Sequence, residues 1–221
     1  MNEQPPSPAR PRATENAGRP FVEIEAKFYV PDLAAFREHA LAGGATLLTP
    51  RRLERNWRFD RPDGSLQAAG QVLRLRQDAT ARLACKGPVD SQGSRREVEF
   101  AIDDAQAARA FLGDLGFRCV LFYEKYREIL LIHQACLMLD ELPFGNFVEV
   151  EAESPEAVRR ISEQLGLRWE AGLHRSYAEL IGELESNPMW DAATAAFRES
   201  AASAADAGAT LHLERAWVRH T

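Results

Sequence analysis

Glu23-Ile24-Glu25-Ala26-Lys27 opens the readable part of the chain, and the way it is read decides the fold. In an extended strand, residues i, i+2 and i+4 share a face. Both carboxylates and the lysine then lie on one side, with Ile24 and Ala26 on the other. The pattern recurs. Arg74 and Arg76 flank Leu75. Arg95, Glu97 and Glu99 share a face against Val98 and Phe100. Lys125 and Arg127 share one with Tyr123, and Glu149 and Glu151 stand against Val148 and Val150. Lys86 and Asp140 each interrupt an otherwise apolar run.

For one strand taken alone, the plain explanation is a half-solvated sheet with its charges outside. The set as a whole weighs against that. The charges come as like-sign doublets on several separate strands, and like charges on one face repel unless a counter-ion or ligand lies between them. The alternative is a barrel with charges lining its lumen and apolar faces turned outward onto helices. A dry lumen cannot hold such charges, because unpaired buried ions cost on the order of several kcal/mol each. The lumen must therefore be hydrated and hold metal and anion. Paired glutamates suit hard divalent cations, which take oxygen ligands. The guanidinium fork of Arg and the point charge of Lys suit phosphate oxygens.

Composition sets the bounds. The chain has 221 residues, which suits one domain with a tail or two, and 45% are hydrophobic, enough for a sizeable core. A net charge of -6 argues against a nucleic-acid partner. Cys85, Cys119 and Cys136 are an odd, widely spaced set with no CxxC pair, so neither a disulfide framework nor a zinc site is expected. No apolar stretch approaches the roughly 18 residues of a membrane span, and no secretory signal is recognised. A reduced, cytoplasmic protein is the expectation.

Along the chain, residues 1–20 carry Pro5, Pro6, Pro8, Pro11 and Pro20 among polar residues and read as a disordered leader. The folded domain is expected over residues 21–186. The tail, 187–221, turns rich in Ala, Ser and Thr and has no legible role. Alternation predicts strands over residues 21–30, 72–77, 82–86, 95–100, 123–132, 135–141 and 146–152. Helices are predicted over 32–42, 103–115, 154–165 and 176–184, with Gly43, Gly116 and Gly166 as stops. The fold class is α+β: an antiparallel barrel with flanking helices.

Other chemistries find little support. The five histidines are scattered without HExxH, no GxSxG elbow is present, and no GK[ST] follows Gly43-Gly44. Trp57, Trp169, Trp190 and Trp217 read as packing residues.

With these residues in order, the chain resembles the CYTH domain, or triphosphate tunnel metalloenzyme, family. Glu23, Glu25 and Lys27 match its Glu-x-Glu-x-Lys opening. Phe59-Asp60 and Leu73 to Arg76 match the next strands, and Lys86-Gly87-Pro88 matches a strand end. Arg95-x-Glu97-x-Glu99, Lys125-x-Arg127, Asp140 and Phe147 to Glu151 follow, and Ser176-Tyr177 with Leu180 resembles the closing helix. The resemblance implies an eight-stranded antiparallel β-barrel tunnel with helices outside.

It also implies residue roles. Glu23, Glu25, Glu149 and Glu151, helped by Asp140, would bind catalytic Mg2+ or Mn2+. Glu97 and Glu99 would hold a second metal or orient basic residues. Lys27, Arg74, Arg76 and Lys86, together with Arg95, Lys125 and Arg127, would grip the triphosphate, with Glu25, Lys27 and Lys86 central to catalysis. The implied partner is a small triphosphate: tripolyphosphate, ATP or thiamine triphosphate. The leading expectation is a triphosphatase. A class IV-type adenylate cyclase comes second, and a non-catalytic polyphosphate-binding module ranks last. A homodimer is left open. Two positions depart from the family pattern: Asn56 and Arg58 stand where many members carry Asp and Tyr, so a tyrosine-dependent proton transfer is not expected here.

Overall fold

The structure, a computed structural model, describes residues 21–89, 95–184 and 211–218. The leader, residues 1–20, and most of the tail lie outside the described residues. The opening charged run forms β1 (Phe21–Glu23) and β2 (Glu25–Tyr29), separated only by Ile24. Next come α1 (Leu33–Ala42), β3 (Thr46–Asp60), α2 (Ser65–Ala68), β4 (Val72–Gln77), β5 (Ala81–Val89) and β6 (Arg95–Ile102). Then follow α3 (Ala105–Asp114), β7 (Arg118–Ile132), β8 (Ala135–Leu142), β9 (Gly145–Glu151), α4 (Pro155–Gln164), a two-residue β10 (Gly172–Leu173) and α5 (Tyr177–Leu184).

All pairings are antiparallel, and the sheet order is β1-β6-β5-β4-β3-β7-β8-β9-β2-β10. Since β1 and β2 belong to one run, that run pairs with β6 through one half and with β9 through the other. The far ends of the sheet therefore meet on a single stretch of chain, which gives the barrel. With β1 and β2 counted together and the short β10 set aside, eight strand runs remain, as expected.

The apolar faces point outward, as the alternation required. Phe28, Leu137, Leu139, Val148 and Val150 are buried against Phe36 of α1 and Val158 and Ile161 of α4. Each such side chain contributes about 1.5–3 kcal/mol by leaving water. The helices start on side-chain caps. The Ala35 amide donates to Asp32 Oδ1 at 3.0 Å, and the Ala157 amide donates to Ser154 Oγ at 3.1 Å with Pro155 opening the helix. At α5, the Ser176 amide donates to Glu179 Oε2 at 2.7 Å and the Glu179 amide donates back to Ser176 Oγ at 3.3 Å, a reciprocal capping box.

Along β2, β7 and β9 the inward face changes character toward α5. Tyr29, Tyr123 and Phe147 follow Lys27, Lys125 and Glu149 on the same faces. They pack with Tyr177, Leu180 and Ile181 into a second apolar cluster. Gly145 belongs here because a Cβ would come within 3.1 Å of the Tyr29 ring. The described end of the tail is part of this architecture. The Ala216 amide donates to the Tyr29 carbonyl at 3.0 Å, Leu211 joins the α5 cluster, and Trp217 packs edge-on against Phe36 with ring centroids 5.5 Å apart.

One strand escaped the sequence reading. β3 is 15 residues long, and its register against β7 shifts between Leu47 and Thr49, between Thr49 and Arg52, and between Arg58 and Phe59. Irregular pairing of this kind breaks the alternation that marks the other strands.

Candidate triphosphate site in the barrel lumen

The lumen is built by cross-strand register. Glu25 lies opposite Glu151, and Lys27 lies opposite Glu149. Directly opposed residues of an antiparallel pair project on the same side. Lys27 Nζ sits 3.0 Å from Glu149 Oε1. Arg127 bonds Glu149 as well, and its Nε donates to Asp140 Oδ1 at 2.6 Å. Lys125 Nζ donates to Asp140 Oδ2 at 2.9 Å, and the Tyr177 hydroxyl donates to the same oxygen at 2.8 Å. Lys125 also lies 3.5 Å from Glu54 Oε1, which accepts from Asn56 Nδ2 at 3.0 Å.

This wall is deeply buried; Asp140 is 0% and Lys125 2% exposed. The charges survive because they are paired. Burial works against the charged form of Glu149, but Lys27, Arg127 and Lys125 outweigh it and hold the carboxyl well below its usual range. Glu54 is likewise depressed: burial opposes, while Lys125, Arg127 and Arg76 prevail. Burial lowers Lys27, but Glu149 and Glu25 more than compensate, so its pKa rises. The Tyr177 phenol is pushed well above its ordinary value, first by burial and then by Asp140 and Glu149.

The opposite wall comes from β4, β5 and β6. Arg76 donates to Glu99 Oε1 at 2.9 Å, and Arg74 lies 3.5 Å from Glu99 and 3.8 Å from Glu97. Lys86 Nζ is 3.1 Å from Glu97 Oε2. Glu97 and Glu99 thus stand as counter-ions to Arg74, Arg76 and Lys86. Arg95 donates to the Gly87 carbonyl at 2.9 Å. Counter-ions leave some donors over. The Nε atoms of Arg74, Arg76 and Arg95 are buried with no hydrogen-bond partner among the described residues. A buried orphan donor costs about 1–3 kcal/mol, so these atoms point to an acceptor supplied from outside the chain.

The cavity these walls enclose, about 1390 Å³, is lined by residues from both, including Glu25, Lys27, Arg76, Lys86, Glu149 and Glu151. Every expected phosphate-binding side chain faces it. Of the expected metal ligands, Glu25, Glu149 and Glu151 line it as well; the Glu23 side chain lies outside the described residues. Asp140 is differently placed from an open metal ligand, because Lys125, Arg127 and Tyr177 occupy both of its oxygens. Among the described residues, no three His, Cys, Asp or Glu side chains cluster as a self-sufficient metal site. The donor set still fits a hard cation of the Mg2+ type, which takes one or two carboxylates and completes its shell with water and phosphate. The opposed Glu25 and Glu151, less buried than the Lys27–Glu149 pair, are the carboxylates that would hold such a cation.

The CYTH domain family model matches residues 22–177. The chain belongs to the CYTH domain family. Adenylate cyclase CyaB of Aeromonas hydrophila is 32% identical over 132 residues, spanning 58% of this chain and 67% of that protein. A solved Pyrococcus horikoshii protein shares the fold at TM-score 0.63 with 27% identity, covering 73% of this CYTH chain and 98% of its own. A solved Hippeastrum protein with a dominant triphosphatase activity aligns at TM-score 0.52 with 20% identity, covering 76% and 98%. Among the described residues, no helix of this CYTH domain is long and apolar enough to cross a membrane.

Among the lumen residues not selected from the sequence are Glu54, Arg58 and Tyr177. Glu54 is a lone acid between arginines, so it made no like-sign doublet; its alternation with Asn56 and Arg58 was the available signal. Tyr177 was legible only as part of a helix motif, and nothing local announced its bond to Asp140.

Proposed function

We propose that this CYTH domain is a metal-dependent enzyme that hydrolyses inorganic or organic triphosphates in its barrel lumen. The observation that carries the reading is the set of orphaned, buried Nε donors on Arg74, Arg76 and Arg95, residues that line one cavity with the Glu25–Glu151 pair. Phosphoryl transfer asks for positioning and charge neutralisation more than for covalent participation. In this reading, Arg74, Arg76 and Arg95 bind and orient the phosphate oxygens, aided by Lys27, Lys86, Lys125 and Arg127. Glu149 and Asp140 hold Lys27, Lys125 and Arg127 in place through the contacts described above. Glu25 and Glu151 would hold Mg2+ or Mn2+, which when bound supplies charge neutralisation at the phosphates. Water attacking a terminal phosphorus breaks one phosphoanhydride bond and yields diphosphate and phosphate.

A second reading is favoured by the likeness to adenylate cyclase CyaB. There the nucleophile is the ribose 3′-hydroxyl of ATP, the α-phosphorus is attacked, and pyrophosphate leaves. The same grip serves both reactions, with a different phosphorus aligned. The test is to incubate the purified protein with tripolyphosphate, ATP and thiamine triphosphate, with Mg2+ and then Mn2+, and to assay phosphate against cyclic AMP. Phosphate release from tripolyphosphate supports hydrolysis. Cyclic AMP with stoichiometric pyrophosphate overturns it in favour of cyclisation, and no turnover of any substrate overturns both.

A further inference from the structure

Most bases of the lumen are matched with acids, while Arg95 bonds the Gly87 carbonyl instead. Lys27, Lys125 and Arg127 have Glu149, Asp140 and Glu54; Arg74, Arg76 and Lys86 have Glu97 and Glu99. Arg58 lines the same cavity and is half-buried, yet its side chain makes no hydrogen bond or ion pair with any described residue. Its cross-strand partner is Arg74, so two guanidinium groups stand side by side on one face. Burial and the like charges of Arg95 and Arg74 push the Arg58 pKa down, although Tyr123 and Glu179 act the other way. Glu179 Oε2 accepts from both the amide and the hydroxyl of Ser176 at 2.7 Å, and no ion pair joins Glu179 to Arg58.

We infer that Arg58, with Arg74 and Arg95, forms a subsite for a terminal, unesterified phosphate at the α5 end of the lumen. The proposal rests on the triphosphate reading above and names which end of the substrate is read. A terminal phosphate brings two charges and three free oxygens, whereas an internal one brings one charge and two. Three clustered guanidinium groups, two with buried unused Nε donors, fit the former. Ser176 to Glu179 border the cavity beside Arg58, so the chain of phosphates meets α5 there and ends.

The test compares two inorganic probes by calorimetry in EDTA, where no metal-dependent turnover occurs. Linear tripolyphosphate has terminal phosphates; cyclic trimetaphosphate has three phosphates and no end. Arg58→Gln is expected to weaken tripolyphosphate by about tenfold or more and trimetaphosphate by less than about twofold, with Arg58→Lys between wild type and Gln for the linear probe. Because Arg58 has no partner to abandon, the Gln variant should melt no lower than wild type, which excludes misfolding as the cause. Equal losses for both probes, or no loss for either, overturn the subsite and leave the triphosphate reading standing. Failure of the wild type to bind either probe overturns both.

Discussion

The Tyr177 hydroxyl donates to Asp140 Oδ2 at 2.8 Å, and through that bond helix α5 is tied to the most buried charge of the barrel. The same carboxylate holds Lys125 and Arg127, so Tyr177 bears on the placement of both bases. Tyr177→Phe removes one hydrogen bond to a charged group, worth about 1.5–3 kcal/mol. We expect a lower melting temperature and a raised KM, with kcat changed less. The phenol pKa is pushed well above its ordinary value, so Tyr177 stays protonated at neutral pH. The pH–rate profile of Tyr177→Phe between pH 6 and 9 should therefore match wild type in shape; loss of a limb would assign Tyr177 a proton-transfer role.

Glu25 and Glu151 face each other across a strand pair. Glu25→Gln should lower turnover by more than about tenfold and raise the Mg2+ concentration needed for half-maximal activity. Removing one of two opposed like charges should leave the melting temperature level or raise it. A variant with wild-type metal dependence would remove Glu25 from the metal site.

Glu54 links acid stability to the lumen. Both Glu54 and Glu149 have folded pKa values below the ordinary 4.5. A depressed carboxylate contributes stability that is complete above its unfolded pKa and is lost as pH falls through the folded value. The melting temperature should therefore hold down to about pH 5 and drop below it. Glu54→Gln leaves Lys125 with one counter-ion fewer and should cost about 3–5 kcal/mol at pH 7. Its melting temperature should then fall less steeply from pH 5 to 3. Parallel curves for the two proteins would show that Glu54 does not contribute to the acid transition.

In the proposed function a metal would serve the reaction and not the fold. The outer apolar clusters are built from side chains that face away from the lumen, and no carboxylate trio is left crowded among the described residues. EDTA should abolish turnover, and Mg2+ or Mn2+ should restore it. Circular dichroism and the melting temperature should change little on chelation. Unfolding in EDTA would instead make the ion structural.

The sequence disclosed the barrel where strands alternate cleanly. Glu149 and Glu151 against Val148 and Val150 state which face is wet, and the structure buries Val148 and Val150 under α1 and α4. It disclosed less where alternation fails. β3 carries Pro50 and shifts register on either side of residues 52–58, and its lumen residues Glu54 and Arg58 are of opposite sign with the uncharged Asn56 between them, so no like-sign doublet marked the strand. Long-range partners were also hidden. Asp140 looked like a spare metal ligand because its three donors come from β7 and α5, and no local pattern brings Lys125, Arg127 and Tyr177 to one carboxylate. The 211–218 segment was unreadable for the same reason: Trp217 finds its pocket on Phe36, far away in sequence.

The junction at Ile24 has a consequence for biosynthesis. The β1–β2 run, made before the other described strands, must wait for β6 to cover one half of it and for β9 to cover the other. Until residue 151 has emerged, the nascent sheet keeps two open edges. Translation that stalls after β6 would leave those edges exposed to other chains, so the vulnerable period for aggregation spans most of the barrel's synthesis.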